Sequence, residues 1–101
     1  MTELHPKVQQ FVEMLDEASR RLRLEGEVFW AEWMEEAARR TRKRDLGGVQ
    51  KALQGYGGMG SFNDLILGDK RLQKLRSEIW KLGRELEREE YEAEMQERQQ
   101  Q

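Results

Sequence analysis

A fifteen-residue stretch from Gly55 to Asp69 limits what this chain can become: Gly-Tyr-Gly-Gly-Met-Gly-Ser-Phe-Asn-Asp-Leu-Ile-Leu-Gly-Asp. Four of its first six residues are glycine, and a glycine inside a helix costs about 1 kcal/mol relative to alanine, so no helix runs through it. On either side the sequence is rich in charge, with apolar residues at three- and four-residue steps, the spacing of amphipathic helix. The stretch therefore reads as a shaped corner between helical arms.

Charged residues make up 38% of the chain, and nine glycines with a single proline leave little material for turns, which favours long solvated helices. The expected fold class is all-α: a small bundle of four to five helices, with the Gly-rich loop and a short helical turn before a long C-terminal helix. Residues 1-87 are the expected helical domain, and residues 88-101 a charged tail, helical or disordered. The formal net charge is -2 and each half of the chain is close to neutral, so nothing global attracts nucleic acid or an anionic membrane. Cysteine is absent, which excludes a disulfide framework and a thiolate metal site and fits a reducing compartment. No apolar run approaches the ~20 residues of a membrane span. The expected location is cytoplasmic, with no membrane partner.

Pro6 suits the first position of a helix. From there Val8, Phe11, Val12, Leu15, Ala18 and Leu22 share one face, and Gly26 is placed to end the helix in the left-handed conformation. A second helix, Glu27 to Lys43, carries Phe29, Trp30, Trp33, Met34, Ala37 and Ala38 on two adjacent stripes and so must meet two neighbours, or one neighbour and a partner. Trp30 and Trp33 are candidate core anchors, because each indole buries on the order of 200 Å². Asp45 reads as the cap of a short third helix with Leu46, Val49, Leu53 and Tyr56 at helical spacing, its start weakened by Gly47 and Gly48. Ser61 followed by Asp64 has a capping-box pattern that predicts a single turn over Phe62 to Leu67, buried on more than one side, with a short strand through Leu65, Ile66 and Leu67 as the alternative. Asp69 then caps a last helix whose seam, Leu72, Leu75, Ile79, Leu82 and Leu86, packs against another helix of the chain or of a second copy. Gly83 is a candidate for close helix approach, and a homodimer through the seam is compatible with the pattern.

Groups suited to catalysis are few. His5 is the only histidine, and neighbouring acids such as Glu35 and Glu36 splay around a helix instead of converging, so no catalytic residues, no metal and no cofactors are expected. The basic run Arg39, Arg40, Arg42, Lys43 and Arg44 suits the negative end of a helix dipole. The alternative is a nucleic-acid-binding face, against which stands the absence of interleaved aromatics. The Gly57 to Ser61 loop, with Lys70 and Arg71 following, has the composition of a small anionic ligand site, but the Walker pattern fails because Gly60 and Ser61 have no lysine between them. Protein recognition fits the surplus aromatic surface better. The candidate partner-binding residues are Trp30, Trp33, Gly58, Met59, Phe62, Asn63 and Asp64, and Asn63 either bridges the loop's own backbone or faces a partner.

The segment Gly57-Gly58-Met59-Gly60-Ser61-Phe62-Asn63-Asp64-Leu65, with Trp30, Gly48 and the run Leu75-Arg76-Ser77-Glu78-Ile79-Trp80, resembles a small family of uncharacterised bacterial proteins carrying a domain of unknown function. The resemblance spans roughly Leu22 to Leu86 and implies a fold more than an activity. Small proteins of this kind are similar to immunity proteins encoded beside bacterial toxins. The expected function is accordingly a non-enzymatic protein-protein interaction module of the immunity type, with another protein, a toxin for instance, as partner.

Overall fold

The computed structural model describes residues 4–45, 47–57 and 59–100. Four helices follow in order: α1, Pro6–Leu24; α2, Val28–Arg42; α3, Gly47–Gln54; and α4, Lys70–Gln100, with a 3₁₀ turn at Phe62–Asp64 between the last two. No strand occurs among the described residues, so the all-α expectation holds. Leu46 and Gly58 lie outside the described residues.

Each boundary has a local cause. Pro6 starts α1, whose orphan Lys7 N–H donates to His5 Nδ1 at 3.2 Å. Gly26, at φ 80°, ends it: its N–H donates to the Arg23 carbonyl and that of Glu27 to Leu22, the paired bonds of a Schellman motif. The end of α2 closes in the same way, with Asp45 N–H on the Arg40 carbonyl, but there Arg44 takes the left-handed position at φ 62°, where glycine is the usual occupant. Asp45 caps α3 as expected, its Oδ1 accepting the Gly47 N–H at 2.8 Å. Asp69 caps α4, accepting from Arg71 N at 2.9 Å and Leu72 N at 3.1 Å.

The helices close a cycle in which α1 packs on α2 and α4, and α3 on α2 and α4. The core between them holds Phe11, Leu15, Leu22, Met34, Phe62, Leu72, Leu75 and Ile79, all fully buried. The α4 seam is thus used within one chain. Gly83 lets α4 approach, since a Cβ there would sit 2.8 Å from Leu53 Cδ2 and 3.2 Å from Phe11 Cε1. Gly48, expected only to weaken α3, has a sharper role. A Cβ on it would lie 2.6 Å from both the Ala37 carbonyl oxygen and the Thr41 nitrogen, so its missing side chain is what lets α3 rest on the backbone of α2.

Ion pairs fasten both ends of α1 to α4. Lys7 Nζ reaches Glu85 at 2.8 Å and Glu89 at 2.6 Å; at the other end Glu17 accepts from Arg71 at 3.0 Å and Arg21 at 2.9 Å, and Arg21 also holds Asp69 at 2.9 Å. The two helices therefore run antiparallel, and α4 continues as helix past Leu86 to Gln100. The Arg71 guanidinium, helped by Arg21, holds the Glu17 carboxyl at about 2, well below the usual 4.5. Asp69 is lowered by Arg21 and by the Leu72 N–H, and Glu85 by Lys7.

Two outcomes follow from this packing. Gly48→Ala should cost about 1 to 3 kcal/mol in urea unfolding although alanine is the better helix former, because the clash is with backbone; a variant as stable as the parent would refute the contact. A carboxylate held below its unfolded pKa stabilises the fold above that value and loses the contribution as pH falls through the folded one. Stability should therefore drop between pH 4.5 and about 2, and Glu17→Gln should make that drop shallower; equal urea midpoints in parent and variant across this window would remove Glu17 from the account.

Candidate functional site

Phe62, fully buried, is the centre of a continuous chain of six aromatic rings. On one side its ring lies 5.6 Å from Trp30, which lies 5.4 Å from Trp33 and 5.0 Å from Phe29; on the other it meets Tyr56 edge-on at 5.3 Å, and Tyr56 meets Trp80 at 5.1 Å. The separations are those of attractive aromatic pairs, each worth about 0.5 to 1.5 kcal/mol beyond area burial. The chain runs from α2, beneath the glycine corner, to α4. Its two ends reach the surface: Phe29 is 64% exposed and Trp80 40%.

The corner is shaped to fit these rings. Gly55 closes α3 against the indoles, for a Cβ there would stand 3.0 Å from Trp30 and 3.1 Å from the Trp33 nitrogen. Trp33 Nε1 donates to the Lys51 carbonyl at 2.8 Å, and the Lys51 ammonium lies 3.7 Å above the Trp33 ring. Gly57 and Gly60 then take φ of 93° and 79°, and the Phe62 N–H returns to the Gly55 carbonyl at 2.8 Å, closing the loop. From α4, Arg76 Nη1 donates to the carbonyls of Leu65 at 2.8 Å and Phe62 at 3.2 Å, while the Tyr56 hydroxyl donates to the Arg76 carbonyl at 2.6 Å. Burial raises the Tyr56 phenol above its ordinary range against a smaller opposing effect of Arg76, so it remains a neutral donor.

The capping box does not form as the spacing suggests. Ser61 makes no cap bond and its Oγ is buried without a partner among the described residues, whereas Asp64 reaches back to accept the Gly60 N–H at 3.0 Å. The turn ends at Asp64, and Leu65 onward is extended. Leu65 and Leu67 face inward while Ile66 is 98% exposed, an alternation that replaces the expected turn buried on several sides.

Between the corner and α4 lies a groove of about 380 Å³ walled by Tyr56 and Trp80, with Asn63, Arg76, Ser77 and Lys81 around it. Asn63 is exposed and makes no hydrogen bond to the described residues, so it does not bridge the described backbone of its own loop. Of the other candidate residues, Trp30 and Trp33 are partly buried against the core, Phe62 is wholly inside, Met59 is 99% exposed and Asp64 is exposed but engaged with Gly60. In the basic run, Arg39 and Arg40 both bind Glu36, at 2.6 and 2.9 Å, which together hold its carboxyl at about 2, and Arg42 pairs with Asp16. Lys43 is the exposed cap of α2, and Arg44 borders a second hollow of about 410 Å³ floored by Leu4, Val8, Val49 and Leu86.

Phe29, Tyr56, Arg76 and Trp80 complete the site; Phe29 and Trp80 stand out in the sequence as surplus aromatic surface, but none of the four is in the candidate partner-binding set. One signal was present. Arg76, Trp80 and Arg84 recur at four-residue steps, a second stripe beside the Leu72–Leu86 seam, and the Arg84 guanidinium lies 5.6 Å from the Trp80 ring.

A family model described as a domain of unknown function, DUF6966, matches residues 23–74. That span contains five of the six rings, Phe29, Trp30, Trp33, Tyr56 and Phe62, and the whole glycine corner; Trp80 lies beyond it. No curated protein matches the chain, and no solved structure does.

Burial separates the roles of the rings. Phe62→Ala should destabilise the protein by about 3 to 5 kcal/mol, whereas Phe29→Ala, at the exposed end, should stay within about 1 kcal/mol. Equal losses in chemical denaturation would contradict the assignment of Phe62 as keystone and Phe29 as surface.

Proposed function

Since the chain belongs to the DUF6966 family, a domain of unknown function, we propose from its own geometry that it is a non-enzymatic protein-protein interaction module, an immunity-type binder that occludes a toxin in a bacterial cytoplasm. The observation that carries the reading is the exposed apolar surface at the open end of the ring chain. Leu24 is 83% exposed, Val28 49% and Phe29 64%, all flanking the α1–α2 turn. The Asp69 N–H donates to Glu25 at 2.7 Å, which ties the end of the extended segment to that same turn.

Such a surface suits recognition for an energetic reason. Interfaces draw most of their affinity from a few aromatic anchors within a polar rim, and side chains already held by packing lose less entropy on binding. Phe29 rests on Trp30 and Trp33, which are themselves fixed by the core and by the Lys51 carbonyl. The Arg23–Glu35 pair, at 2.7 Å, supplies a polar border.

The alternatives have less behind them. Nucleic-acid binding through the basic run would have to compete with Glu36 and Asp16 for Arg39, Arg40 and Arg42. An anion at the Gly57 to Ser61 loop would have to displace the Asp64 carboxylate from the Gly60 N–H.

With a partner recovered by pull-down and identified by mass spectrometry, Phe29→Ala and Asn63→Ala should each weaken capture about tenfold, or roughly 1.4 kcal/mol, while the circular dichroism stays helical. Capture unchanged by Phe29→Ala would discard the Leu24 to Phe29 surface as the interface, and capture unchanged in both variants would discard both exposed ends of the ring chain.

A further inference from the structure

A partly buried charge ordinarily has a counter-ion, because desolvation without one is costly. Arg21 and Arg40, both half-buried, follow the rule, each holding a carboxylate. Arg76 does not. It is partly buried, its Nη1 is directed to two backbone carbonyls, and no carboxylate among the described residues lies within ion-pairing distance of it. Lys81, on the same groove, likewise has no ion pair with an acid among the described residues. In a chain with 20 acidic residues among 101, the groove between Tyr56 and Trp80 is walled by aromatic rings, carries two cations and has no carboxylate in its lining.

Resting on the reading of the protein as an interaction module, we propose that this groove receives an acidic segment of the protein partner: an aspartate or glutamate beside an apolar side chain. The carboxylate takes Arg76 and Lys81, and the apolar neighbour lies on the exposed face of Trp80, with the Asn63 amide free to bond the incoming backbone. A guanidinium whose remaining N–H groups are unused is suited to a planar carboxylate. A phosphate is less well served. Its usual cradle is a set of free backbone N–H groups, and here the Gly60 and Phe62 N–H groups are already bonded to Asp64 and Gly55.

The test uses the full chain labelled with ¹⁵N and follows the Trp80 indole and Asn63 amide signals. The probes are the capped peptide Gly-Asp-Phe-Asp-Gly, its isostere Gly-Asn-Phe-Asn-Gly, inorganic phosphate and adenosine monophosphate. The acidic peptide should shift both signals saturably in the millimolar range, and the isostere should bind at least about tenfold more weakly. Lys81→Glu, which removes no internal bond, should weaken the acidic peptide by a similar factor and leave the remaining spectrum in place; it serves where Arg76→Gln loosens the corner. Absence of saturation at millimolar peptide, equal binding of the isostere, or occupation by phosphate or the nucleotide alone would overturn the proposal. If the peptide fails while Phe29→Ala still weakens capture of the partner, the groove assignment falls and the interaction module stands.

Discussion

Burial of the Phe62 ring is the contact on which the rest of the molecule depends. Trp30 from α2, Tyr56 just after α3 and Arg76 from α4 all converge on it, so one side chain joins three elements that are distant in sequence. Fully burying a phenylalanine is worth about 1.5 to 3 kcal/mol, and its ring contacts add to that. This offsets part of the large conformational entropy that a glycine-dense segment loses on ordering. The bond from Phe62 N–H to the Gly55 carbonyl then fixes the loop's width, and the exposed rings at either end of the chain inherit their positions from it.

Electrostatics set the arrangement of the outer layer. Individual surface pairs contribute about 0 to 1 kcal/mol, yet the Lys7 and Glu17 clusters act at the two ends of α1 and so define its direction against α4. Most of the arginines are neutralised within the fold in this way. The high charge density of the sequence is therefore largely an internal lattice of pairs, which is why an unpaired guanidinium beside two rings stands apart from its surroundings.

Much of this was legible in the sequence because it is local. The apolar stripes of α1, α2 and α4, the Asp45 and Asp69 caps, the Gly26 stop and the Gly83 approach all rest on three- and four-residue spacing or on one residue's backbone preference. What was not legible depends on partners from elsewhere in the chain. Gly48 looks like a flaw in α3 until α2 lies against it. The Ser61–Asp64 pattern matches a capping box, but with Phe62 buried the turn has Asp64 bonded to Gly60 and the Ser61 hydroxyl without a hydrogen-bond partner among the described residues. The candidate site was half visible: Trp30, Trp33, Phe62 and Asn63 were named from composition and spacing, whereas the continuity through Tyr56 to Trp80 exists only once α4 folds back over the corner.

The position of Met59 carries a chemical consequence. Its side chain stands almost wholly in solvent at the tip of the glycine loop, 99% exposed, where a thioether has no shield against peroxide. Conversion to the sulfoxide would turn a flexible greasy tip into a polar, chiral one and, in cells that possess the reductases, back again. Because Met59 belongs to no core contact, that change would alter the surface offered by the loop and leave the bundle beneath it intact.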